Sequence, residues 1–336
     1  MLSPEKSSRY QWVVLIVTLL VFVAYAFSFQ IIPPLIPSIL SEFGISNAEA
    51  GLLMSIVLVP GLILSILVSL AIGKLGVKRI ILFSLLLVVL GTLVSASSSS
   101  YVLLLLGRFI LGLGGAIILP ATPTIIAQWF EKKELGKAMG IFAINMPLAT
   151  VFALPAASML AGIGWRNALY LSAALGVFAT LTFAILFKER SVDLEEGVSI
   201  RKALRSAEMW KVAILWLLFQ ATMLSFITWA PALLERFRGM TKIEAGFSTS
   251  LLSWIALIIV PTVGSLSDRF KRRKIFIVFG FALMSLVFAA ISINSNLNVM
   301  ISFVALGAVS AMIPPIIQTL PAEVLGPGMA SVGFGY

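Results

Sequence analysis

Long apolar runs fill this chain, each near the length that crosses a bilayer, with short polar breaks between them. About 20 mostly apolar residues span the hydrocarbon core as a helix. By that measure the pattern predicts ten spans: residues 12–38, 50–72, 79–97, 101–127, 138–161, 167–187, 210–234, 245–267, 274–293 and 297–321. The breaks carry turn and charge residues, as at 41–48, 73–79, 97–100, 131–137 and 162–167. The expected fold class is an all-α polytopic membrane protein. Lys6 and Arg9 precede the first run as in a signal peptide. That run is far longer than a secretory apolar core of about 7–15 residues, which predicts a retained first span.

Composition agrees. Of 336 residues 60% are hydrophobic and only 11% charged, and the mean hydropathy is +1.08. A soluble domain runs nearer half apolar and a quarter charged. Cysteine and histidine are both absent, which excludes disulfides, thiolate chemistry and the usual metal ligand. The net charge of +10 would suggest a nucleic-acid partner on a soluble protein, but its distribution explains it otherwise. With the N-terminus placed inside, 19 Lys and Arg fall in inner segments and 4 in outer ones, with Arg108 alone within a span. That bias predicts a multi-pass protein of the plasma (inner) membrane with both termini cytoplasmic. It removes any need for nucleic acid.

The longest polar stretch, 188–208, carries both signs of charge and separates six spans from four. It suggests a division into a six-helix N-terminal bundle (1–190), a cytoplasmic linker (191–209) and a C-terminal bundle of four helices (210–336). An offset of 195 relates the two sides. It aligns the break SLAIGKLGVKR after the second span with GSLSDRFKRRK after the eighth, Gly112 with Gly307, Pro120 with Pro315, and Gln128 with Glu323. A shared offset in separate regions points to a duplicated unit, and parallel duplicated halves are a transporter plan.

Here the chain resembles the major facilitator superfamily. Gly264, Leu266, Asp268, Arg269, Arg272 and Arg273 match that family's G-x-L-x-D-R-x-G-R-[RK] loop, with Lys271 in place of its second glycine. The earlier copy keeps Gly76, Lys78 and Arg79. LLLLGRFILGLGGA in the fourth span resembles L-x-x-x-R-x-x-Q-G-x-G-A-A through Leu104, Arg108, Gly112, Gly114 and Ala116, with Leu111 for glutamine. WFEKKELGKAMGI and Gly164-Trp165-Arg166 are also similar. The resemblance implies alternating access between two pseudo-symmetric bundles. It normally comprises twelve spans, so the second bundle is expected to be incomplete, the chain stopping as an eleventh span would begin.

Arg108 is the one charged residue well inside a span, roughly 10 Å from its start at 1.5 Å per residue. An intramembrane charge is costly and usually functional. Two readings stand: contact with an anionic substrate or a proton-coupled role, or a structural link to backbone carbonyls. No acid falls at the centre of a span. Around Pro147 the antiporter pattern G-x-x-x-G-P-x-x-G-G is replaced by Phe142, Met146, Thr150 and Val151. Both absences favour a small organic or inorganic anion as substrate. The alternatives are proton-coupled efflux of drug-like solutes, and a non-transporting sensor or truncated relic. Further candidates to line a cavity are Tyr25, Phe29, Gln30, Asn145, Gln220, Trp254 and Gln318; the alternative for each is an interhelical hydrogen bond or a place at the lipid interface. Glycines 107, 112, 114 and 115 suit close helix packing. No nucleophile–base pair, metal cluster or phosphate loop is present, so neither catalysis nor a cofactor is expected, and the expected partners are a small solute, a coupling ion and the lipid bilayer around a monomer. The resemblance also implies a gate. Asp268 would cap a helix across the bundle interface, with Gly264 at its turn and Arg269 or Arg272 pairing with Asp268 or Glu323.

Overall fold

The computed structural model describes residues 4–62, 64, 76–189, 206–270, 273–293, 298–317 and 320. No strand occurs among them. The helices are α1 (Pro4–Gln30), α2 (Ile36–Phe43), α3 (Asn47–Ser55), α4 (Val77–Ala96), α5 (Tyr101–Trp129), α6 (Lys132–Phe142), α7 (Asn145–Ala161), α8 (Trp165–Leu186), α9 (Ala207–Arg238), α10 (Lys242–Phe270), α11 (Arg273–Ile293), α12 (Val299–Ser310) and α13 (Pro314–Ile317), with a 3-10 turn at Pro33–Leu35.

Eight stretches among the described residues are long and apolar enough to cross a membrane: Arg9–Phe43, Val77–Ala96, Tyr101–Trp129, Glu134–Ala161, Trp165–Leu186, Ala207–Arg238, Lys242–Val260 and Val299–Ile317. Each coincides with one of the ten predicted spans. A ninth, Ile277–Ile293, is shorter, and the later part of the predicted span 50–72, at 63 and 65–72, lies outside the described residues. The stretch 188–208 does so too, except at its ends.

Three of these spans are broken, and proline explains each break. Proline has no N–H, and its ring crowds the carbonyl four residues earlier. Pro33 and Pro34 end α1 at Gln30, Pro147 interrupts the fifth span between Phe142 and Asn145, and Pro314 with Pro315 stops α12 at Ser310.

Within the first half, α4 lies against α5 and α8, and α1 against α5, α7 and α8. Glycines set the α4–α5 separation. A Cβ on Gly107 would sit 2.6 Å from the Ser95 backbone nitrogen, and one on Gly91 2.4 Å from that of Leu111. The largest core cluster is drawn from residues 14–187, and a second from α7 to α13. The halves meet where α7 packs along α10, and where the Pro33–Leu35 turn reaches α9 and α10.

The offset of 195 reappears in three dimensions. Gly44 and Gly239 are both left-handed C-caps, with φ of 62° and 63°. The capping box of Ser46 and Glu49 at the start of α3 recurs as Thr241 and Glu244 at the start of α10. A Cβ on Gly112 would lie 2.4 Å from the Val57 carbonyl oxygen, and a Cβ on Gly307 would lie 2.4 Å from that of Leu252. Every member of each pair is 195 residues from its counterpart.

Candidate functional site

Breaks in two helices build the surroundings of Arg108. With α1 ended at Gln30, Pro33 has no N–H to offer the Phe29 carbonyl, and the Ser28 carbonyl also leaves the helical ladder. Beyond α3, residues 56–58 form turns rather than continuing the helix, which frees the Leu53 carbonyl. Arg108, on α5, collects all three. Its Nε donates to Leu53 O at 3.0 Å, Nη1 to Ser28 O at 2.8 Å, and Nη2 to Phe29 O at 3.2 Å. Nη2 also lies 3.7 Å from the Met54 Sδ. The side chain is 1% exposed. Of the two readings of Arg108, this geometry supplies the carbonyl link.

All of these acceptors are neutral. The guanidinium cannot shed its proton as a lysine can, so a positive charge sits in the bundle with no carboxylate beside it among the described residues. Carbonyl dipoles satisfy its N–H groups but leave its net charge in place.

Three other predicted residues gather here, all on α1. The Phe29 ring lies 5.8 Å from the guanidinium carbon. Tyr25 stacks on Phe29 with centroids 6.3 Å apart and occupies the space a side chain at Gly115 would fill. Gln30 is buried and donates through Nε2 to the Thr150 hydroxyl on α7 at 3.2 Å. Its Oε1 is buried without a partner, an acceptor left over beside a cation-bearing cluster.

The other candidates stand apart. Asn145 opens α7, and its side-chain oxygen accepts from the Met146 N–H at 2.5 Å. Gln220 on α9 and Trp254 on α10 are exposed, and neither touches the Arg108 group through a hydrogen bond or ring contact. Gln318, Arg272 and Glu323 lie outside the described residues. Gly264, Asp268 and Arg269 do not form an inter-helix loop: α10 runs on to Phe270. The reason is local, since the stretch from Gly264 to Phe270 contains no proline and only its first residue is a helix-weakening glycine.

Some contributors were not foreseen. Met54 has no polar signature in a span, and Thr150 was seen only as a departure from another pattern. The partners of Trp165 and Arg166 also emerge only in three dimensions. Arg166 makes a two-armed bond to Glu42 at 2.6 and 3.0 Å and donates to Ser98 O at 2.7 Å, while Trp165 Nε1 donates to Glu42 at 2.6 Å. This clasp joins three turns at one end of the bundle. At the other end Tyr10 packs on Trp129 and Trp12 on Phe130, with Lys137 over the Trp12 ring, the aromatic and cationic mixture of a membrane interface.

An open pocket of about 370 Å³ lies between α3 and α9. Asn47, Ser55, Ser225 and Thr228 give it polar walls, Trp229 an aromatic one, and Met54 part of its apolar lining.

Apolar helices that repeat in two halves meet along a seam and surround a buried cation with no carboxylate beside it among the described residues, an architecture suited to membrane transport. The chain belongs to the Major Facilitator Superfamily, whose sequence profile matches residues 18–336. It is 24% identical to a probable sulfoacetate transporter of Cupriavidus necator, over 89% of this chain and 78% of that protein. It is 25% identical to a probable nitrate transporter of Staphylococcus epidermidis, over 82% of this chain and 71% of that one. In fold it is similar to a bacterial homologue of the human lysosomal transporter Spinster, with a TM-score of 0.80 at 17% identity, over 99% of this chain and 78% of that one.

Proposed function

We propose that the protein moves a small anion across the membrane by alternating access. The observation that carries this reading is the buried Arg108 guanidinium, which has neutral acceptors and no carboxylate neighbour among the described residues. A cation desolvated without a counter-charge lowers the free energy of an anion brought near it. Gln30, Tyr25 and Phe29 flank the same place and supply a polar edge and an aromatic wall. The relatives named for sulfoacetate and nitrate transport support the same substrate class.

In this reading the 19 inner basic residues hold both termini on the cytoplasmic side. The end carrying Gly44, Gly164 and Gly239 then faces outward. At that end Lys242 Nζ donates to Ser38 Oγ at 3.2 Å across the seam. Closure of the inner end falls to the stretch Gly264–Lys274, with Asp268 as its acid.

The test is uptake into proteoliposomes of nitrate, labelled sulfoacetate and a labelled small monocarboxylate, against protein-free vesicles. Protein-dependent uptake of at least one supports the reading. Uptake of none, from protein shown to be folded and correctly reconstituted, sinks it.

A further inference from the structure

Met54 is 2% exposed and sits between two features. On one side its sulfur accepts from Arg108 Nη2 at 3.7 Å. On the other it contributes to the wall of the α3–α9 pocket. The remaining acceptors of Arg108 are backbone carbonyls of α1 and α3, which cannot leave without moving a helix. The thioether is different in kind. It is neutral, a weak acceptor, and carried on an unbranched chain of three rotatable bonds.

We propose that Met54 is a displaceable plug: an anion entering the α3–α9 pocket replaces its sulfur on Arg108. This rests on the anion reading above and adds a route and a specificity-determining residue to it. The exchange trades a long contact to a neutral sulfur for a charge-assisted hydrogen bond to an oxygen anion, which is shorter and stronger. It requires only a side-chain rotation and leaves the three carbonyl bonds of Arg108 intact. The pocket suits the incoming group. The Ser225 hydroxyl and the Asn47 amide offer donors to oxygens not facing Arg108, whereas the hydroxyls of Ser55 and Thr228 are given to Gly51 O and Leu224 O. No acid lines it among the described residues. Its volume of about 370 Å³ admits a nitrate or a short carboxylate or sulfonate. By the same token an extended dianion would leave one charge unmatched.

The experiment titrates purified protein in detergent with potassium nitrate against potassium gluconate at constant ionic strength. Apparent melting temperature and the fluorescence contributed by Trp229, taken as the difference from Trp229→Phe, are followed together. Wild type should show saturable stabilisation and a Trp229 signal with the same midpoint. Met54→Leu keeps the volume but removes the competing acceptor, so its midpoint should fall roughly threefold to tenfold. Ser225→Trp fills the pocket from an exposed wall position and should raise the midpoint about tenfold or more. Gel filtration of each variant verifies folding, and the exposed position of Ser225 keeps the test available should Met54→Leu misfold. If wild type binds nitrate but Met54→Leu is unchanged or weaker, or Ser225→Trp is unchanged, the plug is overturned while the anion reading stands. If folded wild type shows no saturable response to nitrate, the plug is overturned, and the anion reading is decided by the uptake of the three anions.

Discussion

Arg108 shows how one side chain can be required by the backbone before any substrate is considered. Three carbonyls released by breaks in α1 and after α3 converge on its three nitrogens, and a buried unsatisfied polar group costs about 1–3 kcal/mol. Arg108→Gln should therefore destabilise the protein by about 3 kcal/mol or more, read as a shift in denaturant midpoint in micelles. Arg108→Lys retains the charge but not the fork. It should lose stability nearly as far while keeping anion affinity within about tenfold, since charge rather than geometry draws the anion. Equal anion affinity in Arg108→Gln and wild type would leave the strut as the residue's whole role. Glu49 gives a pH-dependent counterpart. Its carboxylate is held below the usual range by the Ser46 N–H first and the Ser46 hydroxyl second. A depressed carboxylate contributes stability above its unfolded value of about 4.3 and loses it as pH falls through the lower folded value. Glu49→Gln should flatten that acid-side loss in melts between about pH 5 and 3. A slope identical to wild type would count against the capping role. The sequence made Arg108 conspicuous because charge within a span is rare. It hid Met54, because a methionine in an apolar run carries no polar mark and its value depends on which atoms lie beyond it.

Among elements, glycine and proline do opposite work. Prolines 33, 147 and 314 end helical runs where the chain loses an N–H, and glycines 91, 107, 112 and 114 let backbones approach to distances no Cβ tolerates. Gly107→Ala would press a methyl onto Ser95 N at 2.6 Å and Gly91 O at 2.7 Å, atoms held in the α4 ladder, and should cost about 1–3 kcal/mol. Gly140→Ala has nothing within 4 Å and should be neutral or gain about 0.5–1 kcal/mol of helix propensity. Thermal melts of the two side by side check both; matching melting temperatures would refute the packing account. The places of the spans were readable because a bilayer imposes a length on an apolar run. The ends of α10 were less so. Charged residues from Asp268 onward marked a boundary by polarity, whereas the helix runs as far as its backbone hydrogen bonds allow.

For the molecule as a whole, the duplicated halves were visible as a handful of identities, but the fidelity of the copy was not. The equivalence of Gly44 with Gly239, or of Val57 with Leu252, is one of conformation and contact rather than residue type, so letters alone understate it. The seam between the halves was invisible for a similar reason: nothing in either α7 or α10 names its partner. There a Cβ on Gly246 would stand 2.8 Å from Ser158 Cβ, closer than the roughly 3.5–4.5 Å of a disulfide, so the two helices must part by about 1 Å to take the bridge. The chain contains no cysteine, so Ser158→Cys with Gly246→Cys introduces a single possible intramolecular bridge. Oxidation should cross-link the pair and reduce transport at least tenfold, and reductant should restore it. Full transport by the cross-linked protein would show that the halves need not part there.

The turn end of the bundle has a practical consequence. Phe43 and Asn47, Ala161 and Trp165, and Arg238 and Lys242 are each separated by only three residues, and Arg166 cinches two of the neighbouring turns to Glu42 and Ser98. A protease needs several residues of extended chain in its cleft, which connections this short do not provide. Trypsin added to that face of intact vesicles should leave these three turns uncut although Arg238 and Lys242 border one of them. Antibodies would meet the same barrier, recognising the folded rim as a surface rather than any linear peptide within it.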